Sequence, residues 1–190
     1  MSTLVFATNN NHKINEIRAV IGSKFNIITL EEAGINIDIP EPHETIEENA
    51  AEKSSFIYNL TKKDCFGEDT GLEVEALNGA PGVHSAIYSG SRNFKNNIDL
   101  LLKNLQPFAN KNAQFKTIIS VIINGKQSQF EGICKGTITA TLKGNDGFGY
   151  DPIFIPNGST KTFAQMTMEE KNIYSHRKKA TDKLIEFLMK

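Results

Sequence analysis

Cysteine is scarce in this chain of 190 residues, with only Cys65 and Cys134 present. Neither sits in a CxxC or His-rich spacing, which argues against a structural zinc site. Both thiols are expected as small buried apolar groups in a reducing compartment. Long apolar runs are missing as well. The N-terminal run is only Leu4 to Ala7, too short for the core of a signal peptide, and no stretch approaches the ~18 residues of a membrane helix. The expectation is a soluble, cytoplasmic protein with no membrane partner. Charge of one sign is also lacking. Lys plus Arg number 21 against 22 Asp plus Glu, a net charge of −1. No global field is available for wrapping a nucleic-acid polymer, so an anionic ligand must be held by local cations. Internal repeats, linkers and low-complexity segments are absent, and no Ser/His/Asp or Cys/His arrangement emerges from the spacings.

What is present suits one domain spanning residues 1–190, since 39% of the residues are hydrophobic and can build a core. Leu4–Ala7 reads as a buried strand, followed by a helix carrying Ile14, Ile17 and Ile21 and stopped by Gly22. A second strand is expected over Phe25–Leu30, then a loop over residues 31–44 with Pro40 and Pro42. Thr45 caps a second helix, with Glu48 at the capping-box position. Cys65–Gly67 and Leu72–Leu77 read as separate short strands, the latter ending in an Asn78-Gly79 turn. Phe94, Ile98, Leu101, Leu102 and Leu105 form a helix stripe. Phe115–Ile123 reads as a central strand, turning at Asn124-Gly125 into strand segments over Gln127–Phe130 and Gly132–Leu142. A C-terminal helix over Ser175–Met189 packs through Ala180, Leu184, Ile185 and Leu188. The sum is a mixed α/β fold with a long central sheet.

Four segments can carry chemistry. Thr8-Asn9-Asn10-Asn11-His12-Lys13 lies between strand and helix, where backbone N–H groups and the helix dipole suit phosphate and Lys13 adds charge. It is not a GxxxxGK[ST] loop, and an ordinary capped helix is the plainer reading. An acidic set follows. Residues 31–52 hold eight carboxylates and no Lys or Arg, and Glu68-Asp69-Thr70-Gly71 stands after a short strand. Such hard oxygen ligands suit Mg²⁺, although a solvated helix face and a turn would also account for them. Gly147-Phe148-Gly149-Tyr150-Asp151-Pro152 offers close backbone approach and aromatic faces for stacking a base, or simply a Gly-rich turn over a core. Last come Lys171 and Ser175-His176-Arg177, possible donors to phosphate or to a purine carbonyl. Cations at the start of a helix oppose its dipole, which favours a specific task for the arginine. The small-residue loop Gly79-Ala80-Pro81-Gly82-Val83-His84-Ser85-Ala86 reads as structural.

Taken in order, these pieces resemble the inosine triphosphate pyrophosphatase family, the Ham1-like proteins. The matching segments are Ala7-Thr8-Asn9-Asn10 with Lys13, Glu48-Asn49-Ala50, Glu68-Asp69-Thr70-Gly71-Leu72, Gly79-Ala80-Pro81-Gly82, Gly147 to Pro152, Glu170-Lys171 and Ser175-His176-Arg177. They cover nearly the whole chain. The resemblance implies an elongated mixed sheet flanked by helices, two lobes with a cleft between them, and a homodimer. It implies Mg²⁺-dependent hydrolysis of ITP, dITP and XTP to the monophosphate and pyrophosphate. By motif match, Thr8, Asn9, Asn10, Asn11, His12 and Lys13 would cradle the triphosphate, with Thr70 beside the substrate. Asp69 would be metal ligand and general base. Glu41 or Glu68 would be the further metal ligand. Phe148, Gly149, Tyr150, Asp151, Lys171, His176 and Arg177 would form the base pocket and its rim. The chain departs from the commonest pattern at Asn9, at Asn11-His12 and at Ile87. A pyrophosphatase of the Maf type acting on modified pyrimidine nucleotides, and a non-catalytic nucleotide-binding regulator, are the alternative readings.

Overall fold

The computed structural model describes residues 3–190. The chain is an α/β protein built on a mixed sheet with strand order β2-β1-β3-β5-β6-β7, β4 pairing with β3. It forms two compact units, one of residues 1–69, 117–132 and 177–190, the other of residues 70–116 and 133–176. Strands β3 (Cys65–Val74), β5 (Asn112–Ile123) and β6 (Lys126–Ile138) contribute residues to both.

In the first unit β1 (Thr3–Phe6) pairs in parallel with β2 (Asn26–Ile28) and with β3. Side chains alternate across a strand, and β1 shows what that does here. Leu4 and Phe6 pack with Ile14, Ile17 and Ile21 of α1 (Asn11–Ile21) and with Ala180, Leu184 and Ile185 of α5 (His176–Leu188). Val5 and Ala7 pack instead with Leu30 and with Ile57 of α2 (Ile46–Thr61). The sheet here is covered on both faces, which is why its strands read as unbroken apolar runs. Gly67 shows how close α2 comes. A Cβ built on it would lie 2.6 Å from Lys53 Cβ and 2.8 Å from the Ala50 carbonyl oxygen, so only glycine fits.

The second unit buries Leu72, Val74, Phe115, Cys134, Phe154 and Phe163 with Ile98, Leu101 and Leu105 of α3 (Phe94–Leu105). It also contains β4 (Pro81–Gly82), β7 (Phe154–Pro156) and α4 (Met168–Tyr174).

Most expected elements are present, with informative departures. Asn124 (φ 50°) and Gly125 (φ 78°) form the β5–β6 turn as the sequence suggests. Cys65–Val74 is one continuous strand, so Glu68-Asp69-Thr70-Gly71 is strand and not turn. Glu75–Leu77 leaves the strand as a 3-10 turn, and Glu75 accepts hydrogen bonds from the side chains of Asn110 and Asn112. Strand β6 is unbroken and stops at Ile138, short of Leu142. Phe94 opens α3 but is exposed, while Asn97 is buried on that helix's inner face. Helix α4 and strand β7 were not expected. Helix α4 carries a capping box of Thr167 and Glu170, but Met168 and Ile173 are exposed, so no apolar stripe marks it.

Candidate active site

The first unit brings buried charged groups together near the end of β1. Ala7 N–H still donates to the Phe66 carbonyl at 2.8 Å. Beyond that point β1 gives way to the turn into α1, and the Glu68 carbonyl of β3 accepts from two ammonium groups instead: Lys53 Nζ at 3.2 Å and Lys13 Nζ at 3.4 Å. The turn itself is held by its polar residues. The Asn10 side chain caps α1, accepting from the backbone N–H of His12 (3.0 Å) and Lys13 (3.2 Å). Thr8 Oγ1 accepts from Asn10 N–H, and Asn9 Nδ2 donates to the Ile37 carbonyl. Asn9, Asn11 and His12 are exposed, and Thr8, Asn10 and Lys13 half-buried.

Glu68 and Asp69 are neighbours on a strand and therefore face opposite ways. Glu68, fully buried, turns to α1 and α5. Arg177 donates to its Oε1 through Nε (3.2 Å) and Nη2 (3.1 Å), while Lys13 Nζ lies 2.8 Å from Oε2. The remaining face of the guanidinium pairs with Glu16 through Nη1. Burial disfavours the charge on Arg177, but Glu68 and Glu16 outweigh it and hold the guanidinium firmly protonated. Asp69 turns to α2, where Lys53 Nζ donates to Oδ1 at 2.8 Å and also pairs with Glu41. Burial raises the proton affinity of Asp69 above that of an ordinary aspartate, more than Lys53 and Lys13 lower it, and Glu41 adds to the rise. Burial opposes the charge on Lys53 too, but Asp69 and Glu41 together keep its pKa raised.

Charge bookkeeping separates the two groups. Glu16 and Glu68 are balanced by Lys13 and Arg177, two against two. Glu41 and Asp69 both pair with Lys53, and Lys13 also acts on Asp69. Glu41 is also exposed, whereas Glu68 is not. Among the described residues no group of three or more His, Cys, Asp or Glu side chains is arranged to hold a metal ion.

The second unit holds a different constellation. Lys171 Nζ donates to Asp151 Oδ2 at 2.7 Å, and the same oxygen accepts from Phe148 N–H at 3.0 Å. Both charged side chains are buried. The ammonium also lies 5.6 Å from the Phe148 ring centroid and 5.1 Å from that of Phe163. Gly147 (φ 76°) makes room for this pair, since a Cβ there would meet Asp151 Oδ2 at 2.1 Å. Gly149 has φ 60°. Tyr150 is buried and donates its hydroxyl to the Ser85 carbonyl at 3.0 Å. His176 is buried with its ring stacked on Phe115, centroids 4.6 Å apart. Thr70 and Phe148 are half-buried.

The sequence motifs thus fall into separate groups. Glu68 joins Lys13 and Arg177, Asp69 joins Glu41, and Lys171 joins Asp151 and Phe148. Arg177, expected beside a base, has its guanidinium on two carboxylates. Lys53 and Glu16 were not singled out from the sequence. Lys53 does carry a signal: it falls with Ile46, Asn49, Ala50 and Ile57 on the buried stripe of α2, where an unpaired lysine is not tolerated.

A mixed sheet whose parallel strands β2, β1 and β3 are covered by helices on both faces defines an α/β protein. The Ham1 family matches residues 4–187. The chain is 52% identical to a dITP/XTP pyrophosphatase of Flavobacterium psychrophilum, covering 97% of each chain. It is 46% identical to one from Porphyromonas gingivalis, over 100% of this chain and 98% of that one. The solved structure of the Staphylococcus aureus Ham1 protein matches with a TM-score of 0.89 at 37% identity, over 99% of this chain and 98% of that one. The chain belongs to the Ham1 family.

Proposed function

We propose that this protein hydrolyses non-standard purine nucleoside triphosphates, namely ITP, dITP and XTP, to the monophosphate and pyrophosphate, as one functional domain over the whole chain. The observation that carries the reading is the Glu41–Lys53–Asp69 group, two carboxylates on one ammonium, beside Lys13, whose ammonium shares the Glu68 carbonyl with Lys53. A lone anion gains nothing from such carboxylates. A divalent cation with its bound phosphates does.

The donor set fits Mg²⁺. Asp69 and Glu41 offer hard oxygens, and two carboxylates completed by water and phosphate oxygens is an ordinary Mg²⁺ arrangement. Glu68, neutralised by Lys13 and Arg177, is the poorer ligand. Mg²⁺ bound there supplies charge neutralisation and Lewis acidity on phosphate oxygens. In this reading Asp69 orients a water and takes its proton as the oxygen attacks the α-phosphorus. The bond from that phosphorus to the α–β bridging oxygen breaks, and the electron pair leaves with pyrophosphate. Burial, by raising its proton affinity, makes Asp69 a better acceptor than a solvated aspartate. Lys13, with Thr8, Asn9, Asn10, Asn11 and His12 and the start of α1, holds phosphate oxygens, joined by Lys53 and by Thr70. Arg177 acts through Glu68, as a positioning residue.

Base recognition falls to Phe148, Gly149, Asp151 and Lys171, with Tyr150 and His176 as their buried support. Phe148 stacks on the base. The Lys171 ammonium, already fixed by Asp151, favours the C6 carbonyl of hypoxanthine or xanthine over the amino group of adenine. Mispairing there costs roughly 1–3 kcal/mol. A homodimer in the cytoplasm completes the proposal. Two buried, unbridged cysteines accord with a reducing compartment, and the dimer rests on the resemblance to the family. No helix among the described residues is long and apolar enough to cross a membrane.

The test is pyrophosphate release from ITP, dITP, XTP, ATP and GTP, with Mg²⁺ and with EDTA, on protein whose mass in solution is measured by light scattering. Release from ITP, dITP and XTP that EDTA abolishes is the expected result. Equal turnover of ATP, or release unaffected by EDTA, would overturn it.

A further inference from the structure

Glu41 lies in the long irregular segment between β2 and α2, with no helix or strand of its own to fix it. Proline brackets it on both sides, at Pro40 and Pro42. Each proline fixes its own φ and removes a backbone donor, and each restricts the residue before it, which for Pro42 is Glu41. Residues 40–42 therefore behave as a stiff strut whose placement depends on what holds its ends. At one end the His43 imidazole lies 3.6 Å from Glu52, and the His43 backbone is held by one side chain. Asn49, 2% exposed, accepts from His43 N–H through Oδ1 at 3.0 Å and donates through Nδ2 to the His43 carbonyl at 3.0 Å. Both hydrogen-bonding groups of one backbone residue are thus taken by one amide.

Asn49 is also placed to pass that grip on. It stands four residues before Lys53, on the same face of α2. The helix that clamps the strut at His43 is the helix that presents the ammonium shared by Glu41 and Asp69. Buried amides clamping loops are not confined to this spot. Asn97 on α3 accepts from Ser89 N–H and donates to the Ala86 carbonyl. That clamp is within the second unit and supplies a control.

We propose that Asn49 is a positioning residue for metal binding: it sets the strut so that the Glu41 carboxylate is delivered beside Asp69. The inference rests on the proposed role of Glu41 as a metal ligand. It places the requirement for Asn49 in divalent-cation affinity, where loss of a residue that orients a ligand weakens binding about 10–100-fold.

The experiment measures Mn²⁺ binding by electron paramagnetic resonance without nucleotide, and the half-saturating Mg²⁺ for ITP hydrolysis. The proteins are wild type, Glu41→Gln, Asn49→Ala, Asn49→Asp, Asn97→Ala and the Glu41→Gln/Asn49→Ala double variant. Asn49→Ala is expected to weaken Mn²⁺ binding and raise the Mg²⁺ requirement about 10–100-fold. Asn49→Asp, which keeps the acceptor for His43 N–H, shifts less and carries the comparison if the alanine variant does not fold. The double variant shifts no further than Glu41→Gln, and Asn97→Ala leaves both readouts at the wild-type value. The proposal is overturned if the Asn49 variants bind Mn²⁺ as wild type does, or if the Asn49→Ala effect adds in full to that of Glu41→Gln. A Glu41→Gln protein with unaltered Mn²⁺ binding would remove the metal-ligand reading itself, a failure seen separately from that of Asn49.

Discussion

The first unit solves a problem of charge and the second a problem of shape. In the first, Glu16 and Glu68 meet Lys13 and Arg177 on one face of β3, and Glu41 and Asp69 meet Lys53 on the other. In the second, the buried ion pair Lys171–Asp151 is walled by the rings of Phe148 and Phe163. Buried charges cost several kcal/mol each unless paired, so each unit shows where it spends polar groups and on what. An ionic centre in which two carboxylates converge on one lysine suits a metal-bound polyphosphate. A fixed cation among aromatic rings suits a flat heterocycle with a carbonyl. The teaching of the contrast is that metal dependence and base preference should respond to different residues.

The largest expected effect on rate is at Asp69. Asp69→Asn removes the proton acceptor and one of the two proposed metal carboxylates while keeping the side chain's size, and ITP turnover should fall about 10²–10⁴-fold. Its thermal midpoint should stay near wild type, since Lys53 keeps Glu41 as a counter-ion. Turnover close to wild type would break the assignment of chemistry to the first unit.

The largest expected effect on stability is at Arg177. Arg177 is 1% exposed, and its guanidinium joins Glu16 to Glu68. Arg177→Ala takes the guanidinium from two buried carboxylates, leaving Lys13 on Glu68, and should cost about 3–5 kcal/mol in denaturant unfolding. If that variant is as stable as wild type but loses discrimination between ITP and ATP, the arginine serves the base directly and the contrast fails.

In the second unit, Phe148→Ala should weaken substrate binding by about 1–3 kcal/mol, the value of one stacked base. It should appear in KM for ITP with the Mg²⁺ requirement unchanged. A shifted Mg²⁺ requirement would show that the two chemistries are not separable.

Much of this was legible in the sequence, and the reasons are specific. The strand–turn–helix at Leu4–Ile21 shows because its apolar periodicity and its Asn10 cap are local properties. Helix α2 is capped by Thr45 as expected, although the Glu48 carboxylate accepts from the Thr45 hydroxyl. Glu68-Asp69-Thr70-Gly71 misleads because its composition is that of a turn. Pairing within the sheet overrides that preference. The acids and bases themselves are visible, but their partners are not. Lys13 with Glu68, Lys53 with Asp69 and Arg177 with Glu16 are separated by 55, 16 and 161 positions, and no period in the sequence links them. Lys53 was further hidden because it directly follows the acidic stretch and reads as its solvated end.

The smallest expected effect tests how abruptly the first unit changes from apolar to ionic. Cys65, Gly67 and Asp69 alternate along β3 and share the face turned to α2. Cys65 is fully buried, its thiol 3.2 Å from the Ser54 carbonyl oxygen, and burial pushes its pKa up to about 12. Asp69, four residues on, is charged and bridged to Lys53. The thiolate is the reactive form, so Cys65 in the native protein should resist iodoacetamide at pH 8 and react only as fast as the chain unfolds. Because the folded chain holds this proton more tightly than the unfolded chain, the thiol's contribution to stability is complete below its ordinary pKa of 9.0 and is lost as pH rises towards 12. Cys65→Ala should therefore flatten the alkaline fall in the thermal midpoint slightly. Rapid alkylation of native protein at Cys65 would mean that α2 does not close over β3 there, and the dry surroundings that raise the proton affinity of Asp69 would lose their support.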